Sequence, residues 1–160
     1  DAYEIILIGY GRIGYDVLAT LDSMKRPFLI VDYNPDRISQ LSQQGYACRY
    51  GDAEDVGFLD ELRLDKAKMI VSTIHDVDAN LLLLEKINEH KKEFPIFIAI
   101  SDKIDDALAL YDKGAEYVLL PYSVGGHHVS SLIEQHMENL QQFLEERFKH
   151  LAYLKKRKSH

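Results

Sequence analysis

A doubly wound α/β sheet, with parallel strands and helices on both faces, is the fold this sequence predicts, and three observations predict it. An apolar run without alternation, Ile5-Ile6-Leu7-Ile8, passes directly into Gly9-Tyr10-Gly11-Arg12-Ile13-Gly14 and then into helical spacing from Tyr15 to Leu21. A second run, Phe28-Leu29-Ile30-Val31, ends on Asp32, 18 residues after Gly14. Beyond it, strand-like runs alternate with helical patterns as far as Pro121, which is the signature of βαβ units with right-handed crossovers.

Each element follows in order. The first strand lacks alternation, so it is read as buried on both faces. In the G-x-G-x-x-G turn, Gly9 allows a sharp bend and Gly11 has no Cβ to hold a pyrophosphate away from the backbone. Gly14 lets the helix lie close on the strand, so its first N–H groups face the phosphates. The second strand, 27–32, leads to Asn34-Pro35-Asp36, a helix start with Pro35 in the first turn and Ile38 and Leu41 facing inward. Gly45 closes that helix. The third strand, about 46–50, precedes Gly51-Asp52-Ala53-Glu54-Asp55 and a short helix carrying Phe58, Leu59 and Leu62. The fourth strand, 68–72, ends at Thr73-Ile74-His75-Asp76, and an apolar helix follows from 81 to about 91. The fifth strand covers 95–100, a helix about 103–112, and a short sixth strand 116–120 stops at Pro121. Six parallel strands make a Rossmann-like sheet, with ligand expected across the carboxyl ends.

From His127 to about Lys156 there is no Pro or Gly, and Val129, Leu132, Ile133, Met137, Leu140, Phe143, Leu144, Phe148, Leu151 and Leu154 fall on one stripe. The spacing predicts one long helix, acidic early and basic late in keeping with its dipole. A domain this small cannot cover so long a stripe, so part of it is expected to pair with a second copy. The organisation read from the sequence is therefore residues 1–126 as the nucleotide-binding domain and 127–160 as a crossover or dimerisation helix with a basic tail.

Bulk properties narrow the function classes. At 160 residues, 46% apolar and 28% charged, the chain is one ordinary globular domain with no run near membrane-span length and nothing like a signal peptide. A net charge of −7 disfavours nucleic acid and acidic lipid. The single Cys48 excludes an internal disulfide, fits a reducing compartment and is read as a small core residue. The chain opens on Asp1 rather than Met, which suggests a piece of a longer polypeptide. The glycine turn and Asp32 point to NAD(H) or an adenine nucleotide (AMP, ADP or ATP). Asp32 is placed to accept from both ribose hydroxyls and would repel a 2′-phosphate, although Arg37 stands near, so NADP is disfavoured.

The motif set resembles the RCK/KTN (TrkA-N type) domains, the cytosolic nucleotide-binding regulators of potassium channels, Trk/Ktr uptake systems and Kef-type cation:proton antiporters. The matching pieces are Gly9-Tyr10-Gly11-Arg12-Ile13-Gly14, Val31-Asp32-Tyr33-Asn34-Pro35, Tyr50-Gly51-Asp52-Ala53, Ser72-Thr73-Ile74, Asn80-Leu81-Leu82-Leu83 and Lys113-Gly114-Ala115-Glu116-Tyr117-Val118 before Pro121. The segment from Pro121 to Val129 is most similar to the antiporter-fused branch. The resemblance implies a cofactor site made of Gly9, Tyr10, Gly11, Arg12, Ile13, Gly14, Asp32, Tyr33, Asp52, Ala53, Thr73 and His75. In it, Arg12 would reach the phosphates, Asp32 hold the ribose, Asp52 and the Ala53 backbone face the adenine edge, and Thr73 and His75 border the distal half. It also implies a homodimer or higher homo-oligomer, a membrane transporter or channel as partner, and a place on the cytoplasmic side of the membrane.

Competing readings are weighed residue by residue. Asp52, Glu54 and Asp55 resemble acidic clusters that bind calcium in some channel members, but a helix start favours acids for its dipole alone. His127 and His128, with His136 further on, have no Cys or second carboxylate converging on them in sequence and are read as ordinary histidines rather than metal ligands. No catalytic residue is expected. A small stand-alone NAD-dependent oxidoreductase is the alternative. Against it, the cofactor domain uses the whole length and none of the ten tyrosines has Lys four residues on. A ligand-sensing domain that gates an associated cation pathway is the expected function.

Overall fold

The structure is a computed structural model that describes residues 3–93 and 95–158. Asp1 and the last two residues of the expected tail lie outside them. The elements run β1 (Ile5–Ile8), α1 (Arg12–Met24), β2 (Phe28–Asp32), α2 (Pro35–Gln43), β3 (Cys48–Tyr50), α3 (Val56–Glu61), a 3₁₀ turn (Leu64–Lys66), β4 (Met69–Ser72), α4 (Val77–Asn88), β5 (Ile96–Ile100), α5 (Ile104–Asp112), β6 (Tyr117–Leu119), α6 (Pro121–His136) and α7 (Leu140–Lys158). The strands form one six-stranded sheet in the order β3-β2-β1-β4-β5-β6, every adjacent pair parallel. The order reverses beside β1, so the first strand carries the switch point at which such sheets hold ligand.

All four residues of β1 are buried, as its unbroken apolar run requires. Ile6 and Ile8 join Leu29, Val31, Ile70 and Phe97 in a core covered by Leu59 of α3, Leu83 and Leu84 of α4 and Leu110 of α5. Ile5 and Leu7 face the other way and pack with Ile30, Val71, Leu18 and Leu21 of α1 and Leu41 of α2. Alternate residues of one strand thus feed two cores.

Local signals place the helix ends. Asn34 Oδ1 accepts from the backbone N–H of Asp36 and Arg37, with Pro35 at the first helical position, so α2 starts where the sequence indicates. Gly45 and Gly114 take positive φ after α2 and α5. Asp55 and Asp76 cap α3 and α4.

The carboxyl-terminal region departs from expectation. The chain divides into two compact units, residues 1–121 and 122–160, five residues before the expected boundary after Gly126. α6 begins at Pro121, which suits a first helical position, and Gly125 and Gly126 lie inside the helix. The single expected helix is also broken. Asn139 donates its N–H to His136 O at 2.9 Å, and its Oδ1 accepts from Gln142 N–H at 3.1 Å, capping a separate α7. A cap satisfies helix-end donors without Gly or Pro, so the break leaves the apolar periodicity uninterrupted. No residue of α6 or α7 is buried.

Candidate nucleotide-binding site

The site is built on the loops that leave β1, β2, β3 and β4 at the carboxyl edge of the sheet. Gly9 turns the chain with φ +92°, and its N–H donates to Val31 O at 2.7 Å. A Cβ on Gly9 would stand 2.5 Å from Thr73 Oγ1, and one on Gly14 would stand 2.9 Å from Gly9 O. Packing alone therefore demands glycine at both. Gly11 is different: a Cβ there meets no protein atom within 4 Å. The space above Gly11 is open, and it lies at the start of α1.

That helix start has no side-chain cap, and neither does that of α5, whereas α2, α3 and α4 are capped by Asn34, Asp55 and Asp76. A helix start without a side-chain cap is one to which an anion can be drawn. Arg12 is the first residue of α1 and is exposed, and Ile13 is half-buried.

Asp32 occupies a different environment from the one expected. Its side chain is 1% exposed. Oδ2 accepts from Tyr10 N–H at 2.7 Å, Oδ1 accepts from Asn34 N–H at 2.8 Å, and Arg37 Nη1 lies 3.4 Å from Oδ2. The carboxylate thus ties the glycine turn to the loop after β2. Three of its roughly four acceptor directions are thereby used. Arg37, which the sequence placed near Asp32, is ion-paired with it. Tyr33, next to it, is exposed.

The remaining predicted residues fall along the same edge. Gly51 N–H donates to Asp32 O at 3.1 Å and brings the loop after β3 alongside. Asp52 is exposed and its Oδ1 accepts from Glu54 N–H at 2.9 Å, while Ala53 is buried. Asp52 holds the Glu54 N–H of its own loop and Asp55 the Phe58 N–H in the first turn of α3, and among the described residues no group of three or more His, Cys, Asp and Glu is arranged to hold a metal ion. Thr73 Oγ1 donates to Gly9 O at 2.6 Å, locking the loop after β4 to the glycine turn. His75 is bound elsewhere: its Nδ1 lies 2.9 and 3.0 Å from the two carboxylate oxygens of Asp102, just after β5. Asp102 is the residue sequence reading missed. Its signal was its place directly after the fifth strand, in Ser101-Asp102. Cys48 is half-buried with Sγ 3.5 Å from Ile38 O, and burial pushes its thiol pKa up, as fits a packing role.

Fold and carboxyl-edge geometry define a Rossmann-like α/β domain. Residues 5–121 match the TrkA-N domain, and the chain belongs to that family. It is 31% identical over 113 residues to the glutathione-regulated potassium-efflux system protein KefC of Escherichia coli O157:H7, a match that spans 71% of this chain and 18% of the relative. The chain thus covers about a fifth of the length of the curated relatives it matches. Among solved structures it is similar to the Kef carboxyl-terminal domain of Shewanella denitrificans in its AMP-bound form, at TM-score 0.66 and 22% identity over 97% of this chain and 93% of that one. It is also similar to GsuK, solved bound to ADP (TM-score 0.66, 29% identity, 81% of this chain and 33% of that one) and, as a channel, bound to NAD (TM-score 0.65, 24% identity, 76% and 22%).

Proposed function

We propose that this domain is a ligand sensor that binds NAD or an adenine nucleotide at the carboxyl edge of its sheet and regulates a cation channel or cation:proton antiporter. The observation that carries the reading is the division among the three glycines. Packing explains Gly9 and Gly14, while Gly11 faces open space at an uncapped helix start, where only an approaching ligand makes a Cβ costly. Arg12 and the first N–H groups of α1 would hold phosphate, Asp32 a ribose hydroxyl, and Asp52 and Ala53 the adenine edge. The ADP, NAD and AMP in the similar structures support the ligand class, and KefC and GsuK support a transporter or channel as the protein regulated.

The same reading assigns no catalytic step, because the sheet domain holds the cofactor and leaves no substrate domain within residues 3–121. It places the domain on the cytoplasmic side of a membrane as part of a larger transport protein; among the described residues no helix is long and apolar enough to cross one. It gives residues 122–160 the task of joining two copies, since most of the large apolar side chains of α6 and α7, from Val129 to Leu154, are exposed.

The test is Gly11→Ala. Its backbone, φ −107° and ψ −152°, is open to any residue, and the new methyl group meets nothing in the protein. The melting temperature without ligand should stay as in wild type. AMP, ADP and NAD should each stabilise wild type, by roughly 2.7 kcal/mol at ~100 times Kd, and bind the variant about tenfold more weakly, ~1.4 kcal/mol. NADP should stabilise wild type less than NAD. Equal nucleotide affinity in wild type and Gly11→Ala overturns the reading.

A further inference from the structure

We propose that Asp102, acting through His75, makes the distal half of the cleft prefer a second nucleoside, which brings hydrogen-bond donors, over a terminal phosphate, which brings only acceptors. The inference rests on the nucleotide site proposed above. β4 and β5 are neighbours in the sheet, and His75 and Asp102 stand three and two residues past their ends. A ligand whose adenosine lies over β1 to β3 extends across the switch point towards these two loops.

The chemistry follows from one contact. The His75 Nδ1 lies within 3.0 Å of both Asp102 oxygens. A carboxylate only accepts, so Nδ1 carries the proton, and in the neutral ring Nε2 is left as a lone pair. The His75 side chain is about half exposed, and because Nδ1 is engaged by Asp102, Nε2 is the ring nitrogen left for a ligand in this proposal. A ribose hydroxyl or a carboxamide N–H donates to it. A terminal phosphate meets a lone pair with a carboxylate directly behind and is repelled.

The scaffold beneath is fixed. Thr73 is bonded to Gly9 O, Ile74 N–H to Ser72 Oγ at 3.3 Å, and Ile74 O to the wholly buried Asn80 through Nδ2 at 2.8 Å. Asp76 is engaged in capping α4. The loop therefore sets the position of His75, and Asp102 sets its tautomer and rotation.

The experiment measures AMP, ADP and NAD affinities calorimetrically at about pH 8, above the range in which histidines ordinarily titrate. It uses the full chain as wild type, His75→Ala, Asp102→Ala and Asp102→Glu. The imidazole ¹⁵N shifts of His75 are read in parallel. Wild type should show the Nδ1–H tautomer. The ratio of NAD to ADP affinity should fall about fivefold in His75→Ala and Asp102→Ala, the scale of one hydrogen bond, and recover in part in Asp102→Glu. AMP affinity should stay unchanged throughout, because AMP does not reach these loops. A purely structural role for Asp102 would lower all three affinities together and overturn the proposal. An unchanged NAD to ADP ratio, or an Nε2–H tautomer in wild type, overturns it as well. If wild type binds AMP in none of these measurements, the nucleotide site itself is wrong and this inference falls with it, a result distinct from a failed ratio.

Discussion

Phe97 and Phe148 sit in two regions that treat an apolar side chain in opposite ways. Phe97, in β5, is fully buried between the sheet and the helices that cover it. Phe148, in α7, is 77% exposed. The difference extends across each region: residues 3–121 bury both faces of the central strands β1, β2 and β4, whereas no residue from 122 to 158 is buried. A parallel sheet between two helix layers closes on itself, because every strand has cover above and below. A helix pair has an apolar stripe and needs something else to lie on it. The sheet region covers its own apolar residues, whereas the helix pair leaves a stripe exposed, which is why a second copy is proposed to lie on it.

The largest expected effect separates the two regions directly. Phe97→Ala should cost about 3–5 kcal/mol in urea unfolding, since it removes a ring from a closed core. Phe148→Asp should leave the unfolding of the sheet region within about 0.5 kcal/mol, as surface substitutions do, yet lower the mass seen by light scattering from dimer or higher to monomer. A wild-type chain that is monomeric at tens of micromolar breaks the comparison, since the helix pair would then need no partner.

A smaller effect probes the break between α6 and α7. Asn139→Ala removes the α7 cap and should cost about 1 kcal/mol. Hydrogen exchange should quicken in the first turn of α7 and stay unchanged in the six strands. Equal protection in wild type and variant would mean that the two helices behave as the single helix suggested by the apolar spacing.

The smallest effect belongs to the far edge of the sheet. Glu116, just before β6, accepts from Phe97 N–H through Oε2 at 2.6 Å and pairs with Lys91. Partial burial pushes its pKa up, but the bonds from Lys91 and Phe97 together hold it below the ordinary glutamate value. A carboxylate depressed in the folded state adds stability above its unfolded pKa and loses it as pH falls through the folded one. The urea midpoint of the sheet region should therefore drop between about pH 5 and pH 3, by less than a fully buried pair would give because Glu116 is about one-third exposed. Glu116→Gln should remove that portion of the drop. An unchanged pH profile in the variant would assign the loss to other carboxylates.

The sequence by itself determined the sheet. Strands buried on both faces are written as unbroken apolar runs, and turn and cap residues such as Gly9, Asn34 and Gly45 act on neighbours within a few positions, so both are visible without the third dimension. The glycine turn was legible for the same reason, including the packing demands on Gly9 and Gly14. Where the signal was local but ambiguous, reading failed: Gly125 and Gly126 marked a boundary on paper and lie within α6, and Asn139 ended a helix whose apolar stripe continued past it. Only the tertiary structure decided what Asp32 and His75 touch. The acid 18 residues past the glycines stands at the end of β2 as the sequence indicates, but its role in tying Tyr10 and Asn34 together depends on two loops meeting across β1 and β2. The pairing of His75 with Asp102 spans 27 residues and exists because β4 and β5 are adjacent in the sheet. Such contacts are set by strand order, which no spacing along the chain records.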